Sequence, residues 1–149
     1  MINKCLKFLQ NGEYQKAISC IKEILTQEPT NAILWHNLGY IYYELEDLDN
    51  ATTAIKKAIN INPNLSIAWT ELSSILNDKG DFEDAINACK RALEINPKDE
   101  IAWTNLGSAY YNMEKFDEAI DALKNALKIT PDLEFAKTVL DLTFKAKNK

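Results

Sequence analysis

Residues 103–131, WTNLGSAYYNMEKFDEAIDALKNALKITP, decide how this chain is read. A step of 34 residues back carries Trp103 to Trp69, Leu106 to Leu72, Ala119 to Ala85, Ala126 to Ala92 and Pro131 to Pro97. A second equal step lands on Trp35, Leu38, Gly39, Ala51, Ala58 and Pro63, with Tyr42 in place of Tyr110. A period without insertions marks a chain of stacked units, each burying a face against the next.

Inside each unit the apolar residues recur at spacings of three and four, the signature of helices with one buried face. First helices are predicted near 31–44, 65–78 and 99–112, and second helices near 48–60, 82–94 and 116–128. Asp47 and Asp81 stand where they can cap second helices, with Asp84 three residues on. Gly80 suits the left-handed turn, and Glu46 and Glu114 occupy the matching places at some cost. Each proline follows a second helix, where its ring and missing N–H block continuation.

The ends are irregular. Ala17, Ile21, Ile24 and Pro29 keep the register, but Met1 stands in the Trp place and Lys4-Cys5 in the Leu-Gly place. Asn11-Gly12 separates two helices, near 2–10 and 13–26. The first reads Ile2, Cys5, Leu6, Phe8 and Leu9, apolar over more than one stripe, so burial on a second side is expected. A last helix is predicted over about 132–146. Lys137 and Asp141 hold its Trp and Gly places, and a polar outer face of this kind marks a terminal cap.

The landmarks Trp, Leu-Gly, Tyr, Ala, Ala and Pro at this spacing resemble the tetratricopeptide repeat (TPR) family, over nearly the whole chain. The resemblance implies an all-α fold, a right-handed superhelical α-solenoid of helix-turn-helix repeats with a C-terminal capping helix. One domain, 1–149, then holds an incomplete repeat over 1–31. Full repeats follow over 32–65, 66–99 and 100–133, with the capping helix and tail over 134–149.

The resemblance also implies a concave groove lined by the first helices, which holds a peptide segment or a helix of a partner. The stripes facing it are Ile33, His36, Asn37, Tyr40, Tyr43 and Glu44, then Ile67, Thr70, Glu71, Ser74, Asn77 and Asp78. The third is Ile101, Thr104, Asn105, Ser108, Tyr111 and Asn112. Asn37 and Asn105 carry two donors and an acceptor each, matched to a peptide backbone, or else they fix local structure. The tyrosines offer large apolar area with a hydroxyl, as interface anchors do, or else pack between repeats. Co-chaperone members of the family hold a C-terminal carboxylate with Lys, Asn and Arg. Here Ile67, Ile101, Glu71 and Asn105 take the basic places, and no Lys or Arg falls within 31–44, 65–78 or 99–112. A neutral or basic partner is therefore expected.

Composition narrows the rest. A net charge of −5 lacks the basic footprint of nucleic-acid binding. No apolar run is long enough for a signal segment or a membrane span, and an odd three cysteines fit a reduced, cytoplasmic chain. Cys5 and Cys20 lie at mirror positions about Asn11-Gly12, and a packed thiol pair is expected there. Cys89 falls on a core stripe. His36 is the single histidine and there is no C-x-x-C pair, so neither a metal site nor a cofactor is expected. No carboxylate pair is desolvated and no glycine-rich phosphate loop occurs. Lys22, Lys56, Lys90 and Lys124 recur at the same period, interleaved with acids as on a solvated face. The expected function is a non-catalytic protein-interaction scaffold. The alternative is a self-assembling scaffold that dimerises through Ile2, Leu6 and Leu9.

Overall fold

The computed structural model describes all of residues 1–149, and they form nine α-helices and no strand. These are α1 (Ile2–Gln10), α2 (Tyr14–Gln27), α3 (Ala32–Glu44), α4 (Leu48–Ile61) and α5 (Ser66–Lys79). They continue with α6 (Phe82–Ile95), α7 (Glu100–Asn112), α8 (Phe116–Ile129) and α9 (Glu134–Lys147). Every helix expected from the period forms, with bounds within two residues of the expected ones.

Local chemistry explains the ends. Asn31, Asp47 and Asp99 accept the backbone N–H of Leu34, Asn50 and Ala102, so each satisfies one orphan donor of a helix start. Asp81 stands at the N-cap of α6 but its carboxylate accepts no such bond, a departure from the capping expected there. Gly80 takes φ +81° between α5 and α6, as a residue without Cβ does at no steric cost. Glu46 and Glu114 adopt φ 59° at the equivalent turns, where an L side chain is strained. The Trp and Pro landmarks are tied together: the indole N–H groups of Trp35 and Trp103 donate to the carbonyls of Pro29 and Pro97.

Small residues set how closely paired helices approach. Ala51, Ala54 and Ala58 of α4, and Ala119, Ala122 and Ala126 of α8, are all buried. A Cβ placed on Gly39 would come within 2.5 Å of Ile55, and one on Gly107 within 2.5 Å of Leu123, so only glycine lets these helices cross. One period away from each, α5 carries Ser73, and the opposing residue shrinks to Cys89, with a side-chain hydrogen bond between the two. Burial pushes the Cys89 thiol up to about 12, which makes it inert as a nucleophile.

Cys5 occupies the same place in α1. Contrary to the thiol pair expected, it is joined to Cys20 by a disulfide. The antiparallel hairpin of α1 and α2 sets the two Cα atoms 5.4 Å apart, inside bridging range, and Cys5 is completely buried.

The chain divides into two compact units, Met1–Ala68 and Trp69–Lys149, with the division falling inside α5. Unit 1 is built on Ala17, Ile21, Ile24, Leu34, Leu38 and Ile41, with Phe8, Leu9, Trp35 and Tyr42 packed against them. Unit 2 has a cluster of Leu123, Ala126, Ala136 and Val139, which joins α9 to α8 and takes Trp103 and Tyr111 of α7 on its flank. The last helix is not uniformly polar outside, as a cap is expected to be: Phe135, Leu142 and Phe144 are exposed.

Candidate partner-binding surface

The stripes opposite the landmark face are neither fully buried nor fully free. Ile33, Ile67 and Ile101 head the three stripes and are 52%, 51% and 44% exposed, so each leaves about half of its surface uncovered. His36, Thr70 and Thr104, one turn on, are buried. Asn37, Tyr40, Tyr43, Glu71, Ser74, Asn105, Ser108 and Tyr111 are half-buried.

In unit 1 the stripe belongs to α3. Its upper part is aromatic, with Tyr40 and Tyr43, and it ends at Glu44, whose carboxylate accepts a hydrogen bond from the Tyr14 hydroxyl at 3.3 Å. Burial raises the Tyr14 phenol above its ordinary value, and the neighbouring Glu44 charge adds to the shift. At the open end of the α1–α2 hairpin lies a separate cleft of about 440 Å³, lined by Met1, Ile2, Glu23, Ile24 and Gln27 among others.

In unit 2 the stripes of α5 and α7 are joined by a polar network. Asn105 donates both amide N–H groups, to Ser73 Oγ and Ser74 Oγ at 2.9 Å each. Asn77 Nδ2 donates to the Asn105 carbonyl at 3.0 Å, and Thr70 Oγ1 donates to Asp99 at 2.6 Å. Asn105 therefore spends its donors on holding α5 to α7. Two atoms of the same floor, Asn77 Oδ1 and Ser108 Oγ, are buried without a hydrogen-bond partner. Such groups carry a desolvation cost of about 1–3 kcal/mol each, relieved when a partner reaches them.

Two exposed residues absent from the sequence-derived stripes fall in the same register. Phe135 and Leu142 lie on α9, 34 residues beyond Ile101 and Ser108, and both are exposed. The period itself pointed to them, but the polar Lys137 and Asp141 drew attention to the other side of that helix. Lys137 is engaged with Glu134 at 2.8 Å.

Nothing in the molecule gathers three His, Cys, Asp or Glu side chains for a metal ion. No helix is long and apolar enough to cross a membrane. The basic residues of the second helices include Lys57, stacked over Trp35, and Arg91, stacked over Trp69, contacts that shield the landmark indoles.

Comparison with known proteins places this architecture. Residues 32–65 and 76–140 match tetratricopeptide-repeat family profiles. A TPR repeat-containing protein of Methanocaldococcus jannaschii is 43% identical over 44 residues, 30% of this chain and 8% of the relative, so the likeness touches a small part of that protein. Among solved structures, MamA superposes with a TM-score of 0.88 at 26% identity, over 97% of this chain and 79% of that one. The first TPR of Spaghetti (RPAP3), bound to the HSP90 peptide SRMEEVD, gives 0.77 at 21% identity, over 79% and 94% of the two chains. The fold class is the all-α solenoid class of these proteins, and the chain belongs to the tetratricopeptide repeat family.

Proposed function

We propose that this protein is a non-catalytic interaction scaffold that holds a neutral or basic segment of a partner protein on the stripes of its first helices. The observation that carries the proposal is that Ile33, Ile67 and Ile101, large apolar side chains at the equivalent start of each first helix, are each left about half exposed. Their recurrence at the same place in each repeat is what distinguishes them from apolar residues scattered singly over a surface. Tyr40, Tyr43 and Tyr111 add area at low entropic cost. The structural relatives support the coarse role, since one of them was solved with a peptide in place.

The charge preference rests on what the stripes lack. That relative's peptide is acidic, whereas no Lys or Arg occurs on the three stripes here and Glu44, Glu71 and Asp78 do. A basic or neutral segment avoids the repulsion an acidic one would meet. The test is to pan a random-peptide display library on the purified chain and measure enriched peptides by fluorescence anisotropy. The proposal expects enriched peptides that are apolar and uncharged or basic, and about tenfold weaker binding to Tyr40→Ala or Ile101→Ala. Enrichment of acidic peptides, or affinity untouched by both changes, overturns it.

A second reading, self-assembly through α1, draws on exposed Ile2 and the cleft beside it. Leu6 and Leu9 are half-buried, and Leu9 already packs on the unit 1 core, which leaves α1 less apolar surface to offer than its sequence suggests. Light scattering over a concentration series decides: a dimer abolished by Ile2→Glu supports assembly, and a monomer throughout removes it.

A further inference from the structure

The first hairpin differs from the others in what holds its two helices together. Helix α1 has nine residues, below the length of about 12–15 residues at which an isolated helix becomes stable in water. Its N-cap, Met1, makes no side-chain hydrogen bond to the helix start, whereas Asn31 caps α3 and Asp99 caps α7. Packing is thin as well. Helix α1 buries one residue, Cys5, where α3 and α7 each bury five. Its contact with α2 is less extensive than that of α3 with α4 or of α7 with α8. What remains is Phe8 and Leu9, resting half-buried on the unit 1 core, and the covalent bond from Cys5 to Cys20. Segments with so few buried apolar contacts are the first to open locally.

The bond can be approached at one of its two sulfurs. Cys5 is completely buried and Cys20 is half-buried, so a thiolate from solution reaches Cys20 Sγ. The surroundings favour an anionic reagent. Residues 1–27 carry four Lys and two Glu, in a chain whose net charge is −5. The ammonium groups of Lys4 and Lys16 converge on the Phe8 ring, 5.8 and 5.6 Å from its centre, across the seam between the helices. Lys16, which Glu13 holds, stands one turn before Cys20 on the same face of α2. A local excess of positive charge concentrates anions.

Burial couples the bond to the helix. A thiolate left where Cys5 sits meets the same desolvation that pushes the equally inaccessible Cys89 thiol up to about 12. That penalty is relieved when Cys5 moves into water, and Cys5 moves only with α1.

We propose that Cys5–Cys20 is a reducible latch, attacked at Cys20 by an anionic thiol and releasing α1 from the α2 seam when it opens. The reductant's thiolate bonds to Cys20 Sγ, and the electron pair of the broken S–S bond leaves with Cys5, which takes a proton from water. A second reductant thiolate attacks the mixed disulfide at the reductant's sulfur. The reductant departs as its own disulfide, and Cys20 leaves as a thiolate and is protonated. Two thiols are thus oxidised for the one protein disulfide reduced. Helix α1 then frays and bares the part of the unit 1 core that Phe8 and Leu9 cover.

The test treats the whole oxidised chain with reduced glutathione, an anionic thiol, stops the reaction early with N-ethylmaleimide and maps the adducts by mass spectrometry. The expected intermediate carries glutathione on Cys20 and maleimide on Cys5. The reverse placement, or a bond that survives millimolar glutathione, overturns the proposal. Lys4→Gln combined with Lys16→Gln should slow reduction by glutathione several-fold and leave reduction by neutral 2-mercaptoethanol unchanged. An unchanged glutathione rate overturns the choice of an anionic reagent. Hydrogen exchange then follows the helix. On full reduction the amides of α1 should exchange at least tenfold faster while those of α3 to α9 stay as they were. Cys5→Ser combined with Cys20→Ser should match the reduced chain. Protection of α1 that persists after reduction, or that is lost together with that of α3 and α4, overturns the latch.

Discussion

Helices α3 and α5 stand one period apart, and they meet the second helix of their hairpins in opposite ways. In α3 the crossing residue is Gly39, pressed against the large Ile55; in α5 it is Ser73, opposite the small Cys89. Volume is conserved across the crossing, so the period survives, while the chemistry is free to change. The change propagates. Ser73 accepts a hydrogen bond from Asn105, and the residues beside it are Ser74 and Asn77 where α3 has Tyr40 and Tyr43. One stripe is thus aromatic and the other is a hydrogen-bonded polar floor.

The largest effect that can break this comparison is Gly39→Val. A Cβ there lies 2.5 Å from Ile55 Cδ1 and 3.2 Å from the Ile55 backbone N, so backbone as well as side chain must move. Destabilisation of about 3 kcal/mol in urea unfolding is expected, near the upper end for overpacking. The double change Gly39→Ser with Ile55→Cys, which copies the α5 solution, should recover most of that loss; no recovery would show that the two crossings are not equivalent.

Cys5 is a further occupant of the same place, and it is tied covalently. Reduction opens a 15-residue loop and should lower stability by about 3 kcal/mol on the loop-entropy account. Paired unfolding curves with and without reductant measure it, and coincident curves would contradict a structural role for the bridge. Asn105→Ala sharpens the contrast from the polar side. Ser73 and Ser74 lose their donor in a half-buried floor, for a cost of about 1–3 kcal/mol. Asn37→Ala, on the aromatic stripe, should cost less than Asn105→Ala, and the reverse order would undo the distinction. The smallest effect is a gain: Glu114→Gly relieves a φ of 59° and should raise stability by up to about 1 kcal/mol.

Much of this was legible beforehand, because Trp, Ala and Pro at a fixed period have a mechanical meaning. The Trp indole bonds the carbonyl of the preceding Pro, alanines admit close helices, and Pro stops the second helix, so helix positions followed closely. The site was less legible. The sequence left Asn105 either to meet a peptide or to fix local structure, because its partners, Ser73 and Ser74, lie a whole period away and such pairing is invisible to local spacing. Phe135 and Leu142 were hidden by the polar residues on the other side of α9. The disulfide went unread because oxidation state was argued from composition, whereas the mirror positions of Cys5 and Cys20 already contained the geometry.

Photo-crosslinking shows where on the protein a partner segment lies. A library-selected peptide carrying a benzophenone is irradiated with the protein, and the modified residues are located by mass spectrometry. Adducts are expected on the stripe residues, foremost Ile101, Phe135 and Leu142. Adducts confined to the outer faces of α4, α6 and α8 would contradict it.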